Sequence, residues 1–123
     1  AALARPYIRL CDESIAKKLA GKGVFEGITL TSPGFYAPQT RSLRAPLKYP
    51  HLFKAYQSVV LNGARITNFE METSALYGLG KALGHRCCTI CAVIANRATG
   101  KFSKDHGKAE ERLVKHVLDK LTS

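Results

Sequence analysis

The sequence predicts a single α/β domain with a largely parallel or mixed sheet, because helical and strand patterns alternate along its 123 residues. Residues 12–20 begin with acidic side chains, continue with two lysines and stop at Gly21, which is typical of a helix. Residues 24–31 are rich in strand-forming residues and run into a Ser-Pro-Gly turn signal. A chain of this length can bury one hydrophobic core but hardly two.

The middle of the chain continues the alternation. Apolar residues at helical spacing predict a helix over residues 51–61, closed by the Asn-Gly pair at 62–63. A strand is predicted over residues 66–69, and it leads into a helix that starts at Thr73 and ends at Gly84. A strand followed so closely by a helix is the pattern expected of an α/β unit.

The last third contains the most apolar segment, residues 86–94, which we predict to be a strand buried on both faces. Cys88 and Cys91 form a C-x-x-C spacing within it, but positions three apart on a strand point to opposite sides. We therefore expect no metal site. Residues 96–105 are predicted to be a loop, and a helix with an apolar stripe follows to the C-terminus.

The charge balance restricts the partners that can be expected. Nineteen basic against nine acidic residues give a formal charge of +10, which favours anionic partners such as phosphate esters, nucleic acid or an acidic membrane face. The basic residues are scattered and lack the aromatic interleaving of RNA-binding sheets, although a small basic nucleic-acid-binding domain remains an alternative. The sequence shows no membrane-spanning stretch and no secretory signal. We expect a cytoplasmic protein without a membrane or nucleic-acid partner.

Polar and aromatic side chains follow three of the predicted strands. Ligands of α/β proteins gather at the carboxyl ends of the strands, and loops are predicted there after Leu30, Phe69 and Ile94. These loops carry Phe35, Gln39 and Arg41, then Glu70, Met71 and Glu72, and finally Asn96 and Arg97.

Each candidate has both a functional and a structural interpretation. Glu72 at the start of a helix is suited to gripping vicinal hydroxyls, yet a glutamate in a first helical turn is common without any ligand. Phe35 could stack on a flat ring or belong to the packing of a core or lid. Gln39 and Arg41 could read an imide edge or brace their loop, and Arg97 is open in the same way.

Three motifs in the right order resemble a known family. GFYAPQTR, NFEMETSALYGLG and TICAVIANR resemble the nucleoside phosphorylases, specifically the uridine phosphorylase branch, over about residues 27–97. The resemblance implies a three-layer αβα fold with a mixed central sheet, and phosphorolysis of uridine or a related pyrimidine nucleoside to free base and ribose 1-phosphate. Phosphate would be the co-substrate, no cofactor would be needed, and the enzyme would be a homo-oligomer built from dimers.

The resemblance implies the base-binding residues. Phe35 would pack on the nucleoside, and Gln39 and Arg41, as the catalytic pair, would bind the uracil carbonyl and imide edge. Donors at these positions would meet the negative charge that develops on the leaving base. Arg97 would help to close the pocket.

The remaining roles concern the sugar and the choice of base. Met71 would pack under the ribose, Glu72 would bind its 2′-hydroxyl, and Glu70 would lie close to the same sugar. Ile94 and Ala95 would line the base pocket. Purine-cleaving relatives carry Ser-Asp at that point to protonate the purine, and the absence of a proton donor here favours a pyrimidine and argues against the adenine-nucleoside hydrolases of the family.

One part of the family pattern is missing. The phosphate-binding segments of the N-terminal half have no match, complete members are much longer, and the chain begins Ala-Ala-Leu-Ala. We therefore expect residues 1–123 to be the C-terminal portion of a single phosphorylase domain, inactive alone or active only with the missing half. A nucleoside-binding relative without catalysis is the other alternative.

Overall fold

The computed structural model describes residues 5–123, so the Ala-Ala-Leu-Ala start lies outside the described residues. Helices and strands alternate, which confirms the predicted α/β class. In chain order they are α1 (Glu13–Leu19), β1 (Ile28–Thr31), α2 (Leu52–Ser58), β2 (Val60–Leu61), β3 (Ala64–Glu70), α3 (Thr73–Ala82), β4 (Ala95–Asn96), β5 (Lys101–Phe102) and α4 (His106–Thr122). A short 3-10 turn, Ala37–Gln39, lies between β1 and α2.

The main sheet is mixed, as predicted, and has the strand order β1-β3-β2. β1 and β3 are parallel, with Thr31 opposite Glu70 at their carboxyl ends. β1 is shorter than the predicted strand over residues 24–31. Gly27, just before it, lies so close to Thr67 that an added Cβ would clash with that side chain. Because β1 and β3 are parallel, the segments that follow Thr31 and Glu70 lie at the same edge of the sheet.

The prediction of a helix over residues 51–61 is wrong at its end. α2 stops at Ser58, and β2 pairs antiparallel with the start of β3. The Asn-Gly pair between them forms the turn, with φ of 50° at Asn62 and 81° at Gly63. Two consecutive positive φ angles are what a tight hairpin turn requires, and Asn-Gly is its strongest sequence signal. The pair therefore closes a hairpin and does not end a helix.

The prediction of a buried strand over residues 86–94 is also wrong. The segment forms no regular secondary structure, and Val93 is 65% exposed. A strand needs a neighbour to pair its backbone, and no strand within residues 5–123 pairs with this segment. The Thr89 N–H donates instead to the Tyr77 hydroxyl at 2.8 Å. Residues 96–105 likewise differ from the predicted loop, because β4 and β5 form a small antiparallel hairpin there.

The helices have the ends that their sequences favour. Asp12 caps α1 by accepting from the Ile15 N–H at 3.0 Å. α3 ends in a Schellman motif, in which the N–H groups of Gly84 (φ 75°) and His85 donate to carbonyls of the last turn. α4 packs on α1, where a His116 ring nitrogen lies 2.7 Å from the Leu19 carbonyl oxygen. No helix in the described part of the chain combines the length and apolar character needed to cross a membrane.

Burial is unevenly distributed over residues 5–123. Leu19 is the one large apolar side chain there that is buried, whereas Leu10 and Phe25 are each 88% exposed. The buried polar side chains are Ser32, Gln39 and Thr73, and all three follow the carboxyl ends of β1 or β3. A buried polar group normally has a specific partner, which directs attention to this edge of the sheet.

Candidate functional site

The parallel pairing of β1 and β3 assembles the candidate site. Thr31 and Glu70 end their strands in register, so the loop after β1 and the start of α3 lie side by side. The Ser32 N–H continues this pairing by donating to the Glu70 carbonyl at 2.9 Å. The expectation that the first two strand ends would meet at one edge is confirmed.

Gln39 is the centre of the first group of candidates. Its side chain is 3% exposed, and Arg41 donates to its Oε1 atom at 2.9 Å. Arg97 donates to the same oxygen at 2.5 Å and also to the Gln39 carbonyl oxygen. The side-chain oxygen of Gln39 is therefore committed to two guanidinium groups, which leaves its NH₂ group as the donor for a ligand.

The two arginines also contact aromatic rings. Arg41 lies over the Phe35 ring at 3.6 Å from the centroid and donates to the Phe35 carbonyl at 2.7 Å. Arg97 lies over the Phe69 ring at 4.6 Å. Burial and the neighbouring charge of Arg41 both lower the pKa of Arg97. Two cations at one amide make this corner suited to a partner with negative charge.

Phe35 remains available for stacking, although one face is covered by Arg41. The side chain is 51% exposed and makes an edge contact with Tyr36 at 5.3 Å. Phe69 differs, because it packs against Phe53 and Tyr56 of α2. Phe69 therefore connects two parts of the site, because Arg97 lies over its ring and Glu70 follows it directly in the sequence.

The carboxylate of Glu70 is directed at the start of α3. One oxygen accepts from the Thr31 hydroxyl, and the other accepts from the N–H groups of Glu72 at 2.7 Å and Thr73 at 2.6 Å. Burial raises the pKa of Glu70, but these hydrogen bonds outweigh it and hold the pKa below its ordinary range. Glu70 therefore acts on the helix start as a capping anion.

Met71 and Glu72 point outward from the same seam. Met71 is 42% exposed. Glu72 is the residue just before the first turn of α3, at the helix start that the sequence predicts. Glu72 is exposed, and its Oε2 atom accepts from the Met71 N–H at 3.1 Å. An exposed thioether and an exposed carboxylate stand side by side on a helix N-terminus.

The predicted strand over residues 86–94 is absent, and the segment after Ile94 contributes to the site mainly through Arg97. Ala95 pairs with Phe102 in the β4–β5 hairpin, and the Ile94 carbonyl accepts from the Ser103 N–H at 2.7 Å. The side chain of Ile94 is 37% exposed. Asn96 shapes the turn of the hairpin by accepting from the Ala98 and Thr99 N–H groups. The hairpin thus presents Arg97 to Gln39, while Asn96 is used locally.

Sequence reasoning missed two residues of this edge. Thr31 donates to Glu70 and accepts from the Ser74 N–H at 3.0 Å, so its hydroxyl joins β1 to α3. The neighbouring Ser32 is 2% exposed, and its hydroxyl has no hydrogen-bond partner within residues 5–123. The signal for Thr31 was its position as the last strand residue, but only the register with Glu70 shows its partner.

This edge of the sheet is suited to a polar ligand that has hydrogen-bond acceptors and hydroxyl groups. It offers an amide donor, two guanidinium groups, an exposed aromatic ring and an exposed carboxylate beside a methionine. Within the described range, no group of three or more His, Cys, Asp or Glu side chains is arranged to hold a metal ion. The set can bind a planar base that carries carbonyls and a sugar that carries hydroxyls.

Comparisons with known proteins identify the family of the chain. The model of the phosphorylase superfamily matches residues 5–123. The chain is 39% identical over 94 residues to the uridine phosphorylase of Thermococcus kodakarensis, covering 72% of this chain and 31% of that protein. It is 28% identical over 116 residues to the uridine phosphorylase of Haemophilus influenzae, covering 88% of this chain and 44% of that protein.

A solved structure supports the same relationship. The structure of a Trypanosoma brucei nucleoside phosphorylase, described as showing uridine phosphorylase activity, superposes with a TM-score of 0.79 at 27% identity. The match covers 93% of this chain and 42% of that one. The chain therefore spans less than half the length of each of these three relatives.

Proposed function

Because the chain belongs to the phosphorylase superfamily, we propose that it supplies the base- and ribose-binding half of an enzyme that cleaves uridine, or a related pyrimidine nucleoside, with phosphate. The products would be the free base and ribose 1-phosphate. The polar and aromatic side chains at one edge of the sheet support this proposal, in which the phosphate-binding residues would lie outside residues 5–123. A cytoplasmic location and assembly from dimers remain part of this proposal.

The observation that carries the proposal is the orientation of Gln39. Its side-chain oxygen accepts from Arg41 and Arg97, so its NH₂ group is the donor presented to a ligand. A uracil carbonyl is the matching acceptor. The N–H groups of Arg41 that Gln39 does not use are suited to the second acceptor on the imide edge, while the exposed face of Phe35 packs on the nucleoside.

The sugar would occupy the seam before α3. Met71 would pack under the ribose ring, and the exposed Glu72 carboxylate would accept from the 2′-hydroxyl. Glu70 would lie beside the same sugar with its carboxylate engaged by the helix start. The hydrogen bonds from the start of α3 and from Thr31 favour the ionised form of Glu70.

The chemical step follows from these contacts. A phosphate oxygen forms a bond to the anomeric carbon while the bond from that carbon to the base nitrogen breaks, and the electron pair leaves with uracil. The negative charge on the leaving base spreads to its carbonyls, where Gln39 and Arg41 donate. Ile94 and Ala95 offer no proton, so uracil with stabilised carbonyls leaves as the anion and takes its proton from water afterwards.

Uracil release from uridine tests the proposal. The assay uses the protein together with any sequence that precedes Ala1 in its gene, with and without phosphate. Release that depends on phosphate supports phosphorolysis, whereas release without phosphate would indicate a hydrolase. If the folded protein binds uridine but releases no uracil, a nucleoside-binding protein without catalysis replaces this proposal.

A further inference from the structure

The hydroxyl of Thr31 joins three parts of the candidate site. It donates to Glu70 Oε1 and accepts from the Ser74 N–H at 3.0 Å. It therefore connects the end of β1 to the end of β3 and to the first turn of α3. A hydroxyl has one donor and can accept as well, so the group is used in both directions.

Glu70 passes this connection on to the residues that face the ligand. Its second oxygen accepts from the N–H groups of Glu72 and Thr73, which fixes the backbone on both sides of the Glu72 side chain. Met71 precedes Glu72 in the same turn. The two exposed side chains of the seam thus stand on a backbone that is held by a carboxylate, which is held in turn by Thr31.

We propose that Thr31 is a positioning residue for sugar recognition, acting through Glu70 to place the Glu72 carboxylate against the 2′-hydroxyl. This inference rests on the proposed function. In this proposal Thr31 makes no contact with the sugar, because it acts through Glu70, whose two carboxylate oxygens accept from Thr31 and from the start of α3. A displacement of about 1 Å at a hydrogen-bonding group is enough to lose much of its contribution, because the strength of the bond depends steeply on geometry.

The Thr31→Val variant tests this inference, because valine has nearly the shape of threonine but lacks its hydroxyl. The full-length protein is assayed with uridine and with 2′-deoxyuridine, and binding of both nucleosides is measured by calorimetry. For Thr31→Val we expect KM for uridine to rise about tenfold, the size of one hydrogen bond, with little change in kcat. KM for 2′-deoxyuridine should change little, so the preference for uridine falls about tenfold.

Two further variants separate a positioning effect from a general loss of structure. Thr31→Ser restores the hydroxyl and should restore the preference for uridine. Ser32→Ala removes the adjacent buried hydroxyl, which has no partner within residues 5–123, and should leave the preference unchanged. If Thr31→Val weakens both nucleosides equally, or if Thr31→Ser fails to restore the preference, the inference is wrong.

Glu72→Gln distinguishes this inference from the proposed function. If Glu72→Gln reduces the preference for uridine and Thr31→Val does not, Thr31 has no positioning role while the sugar site stands. If Glu72→Gln changes nothing, or the wild-type protein does not distinguish or bind the two nucleosides, the proposed sugar site itself fails and the inference fails with it.

Discussion

Arg97 and Gln39 lie 58 positions apart in the sequence and are joined by two hydrogen bonds, one to the side-chain oxygen and one to the carbonyl oxygen of Gln39. This contact brings the β4–β5 hairpin to the loop after β1. It uses the fork of a guanidinium group, since one nitrogen reaches each oxygen. The orientation of the buried amide, and with it the donor offered to the base, depends on this pair together with Arg41.

The Arg97 contact predicts that charge alone is insufficient at this position. Arg97→Lys keeps the positive charge but cannot span both oxygens of Gln39, so the amide loses its fixed orientation. We expect kcat/KM for uridine to fall by about 10- to 100-fold in the full-length protein. Arg112→Lys, on the exposed face of α4, is the matched control and should leave the rate unchanged. A wild-type rate in Arg97→Lys would contradict the role of the fork.

Arg41 is expected to act mainly in the transition state. It donates to Gln39 and to the Phe35 carbonyl, and it would meet the charge that develops on the leaving base. Loss of one such donor typically costs on the order of 3 kcal/mol, so Arg41→Ala should lower kcat at least about 100-fold. Binding of ribose 1-phosphate, measured by calorimetry, should weaken far less. Equal losses in turnover and in sugar binding would exclude this role.

The parts of the fold that the sequence predicts well are those that local chemistry determines. α1 is capped by Asp12 and α3 ends at Gly84, and both signals act within a few residues of the element they limit. The meeting of the ends of β1 and β3 was also predictable, because parallel strands place their carboxyl ends at one edge of the sheet. Local patterns therefore located the loops that carry the candidate residues.

The parts that the sequence did not predict depend on partners distant in the chain. Residues 86–94 have the composition of a buried strand, but no strand in the described range pairs with them. The hydrogen bond between Thr31 and Glu70 required the register of β1 against β3, which composition does not determine. The hairpin at Asn62-Gly63 is different, since its signal was present and was read as the end of a helix.

The turn between β2 and β3 and the interior of α3 each contain a glycine, and replacing these glycines by alanine should have opposite effects on stability. An added Cβ meets nothing within 4 Å at Gly63 or at Gly78, so crowding is excluded at both. Gly63 has a φ of 81°, and Gly63→Ala should lower the free energy of unfolding by about 1 kcal/mol. Gly78 lies within α3, where Gly78→Ala should raise it by about 0.5–1 kcal/mol. Urea unfolding measures both, and changes of the same sign would contradict this account of the turn.

Glu70 predicts a specific loss of stability in acid. Burial raises its pKa, but the hydrogen bonds from Thr31 and from the N–H groups of Glu72 and Thr73 lower it below the ordinary value of 4.5. The folded state therefore favours the ionised carboxylate, and its stabilising contribution is present above the ordinary pKa and lost as pH falls through the lowered one.

Glu70→Gln removes this titration, so the variant should be less stable than the wild type near neutral pH, with the difference shrinking as the pH falls below 4.5. The free energy of unfolding, measured by urea titration across this range, gives the comparison. Glu110→Gln, which removes an exposed carboxylate from α4, is the charge-matched control and should follow the wild-type curve. If the Glu70→Gln and wild-type curves run parallel throughout, the carboxylate does not hold the start of α3 as an ionised cap, and the support that it lends to Glu72 has to be assigned to the packing of the helix.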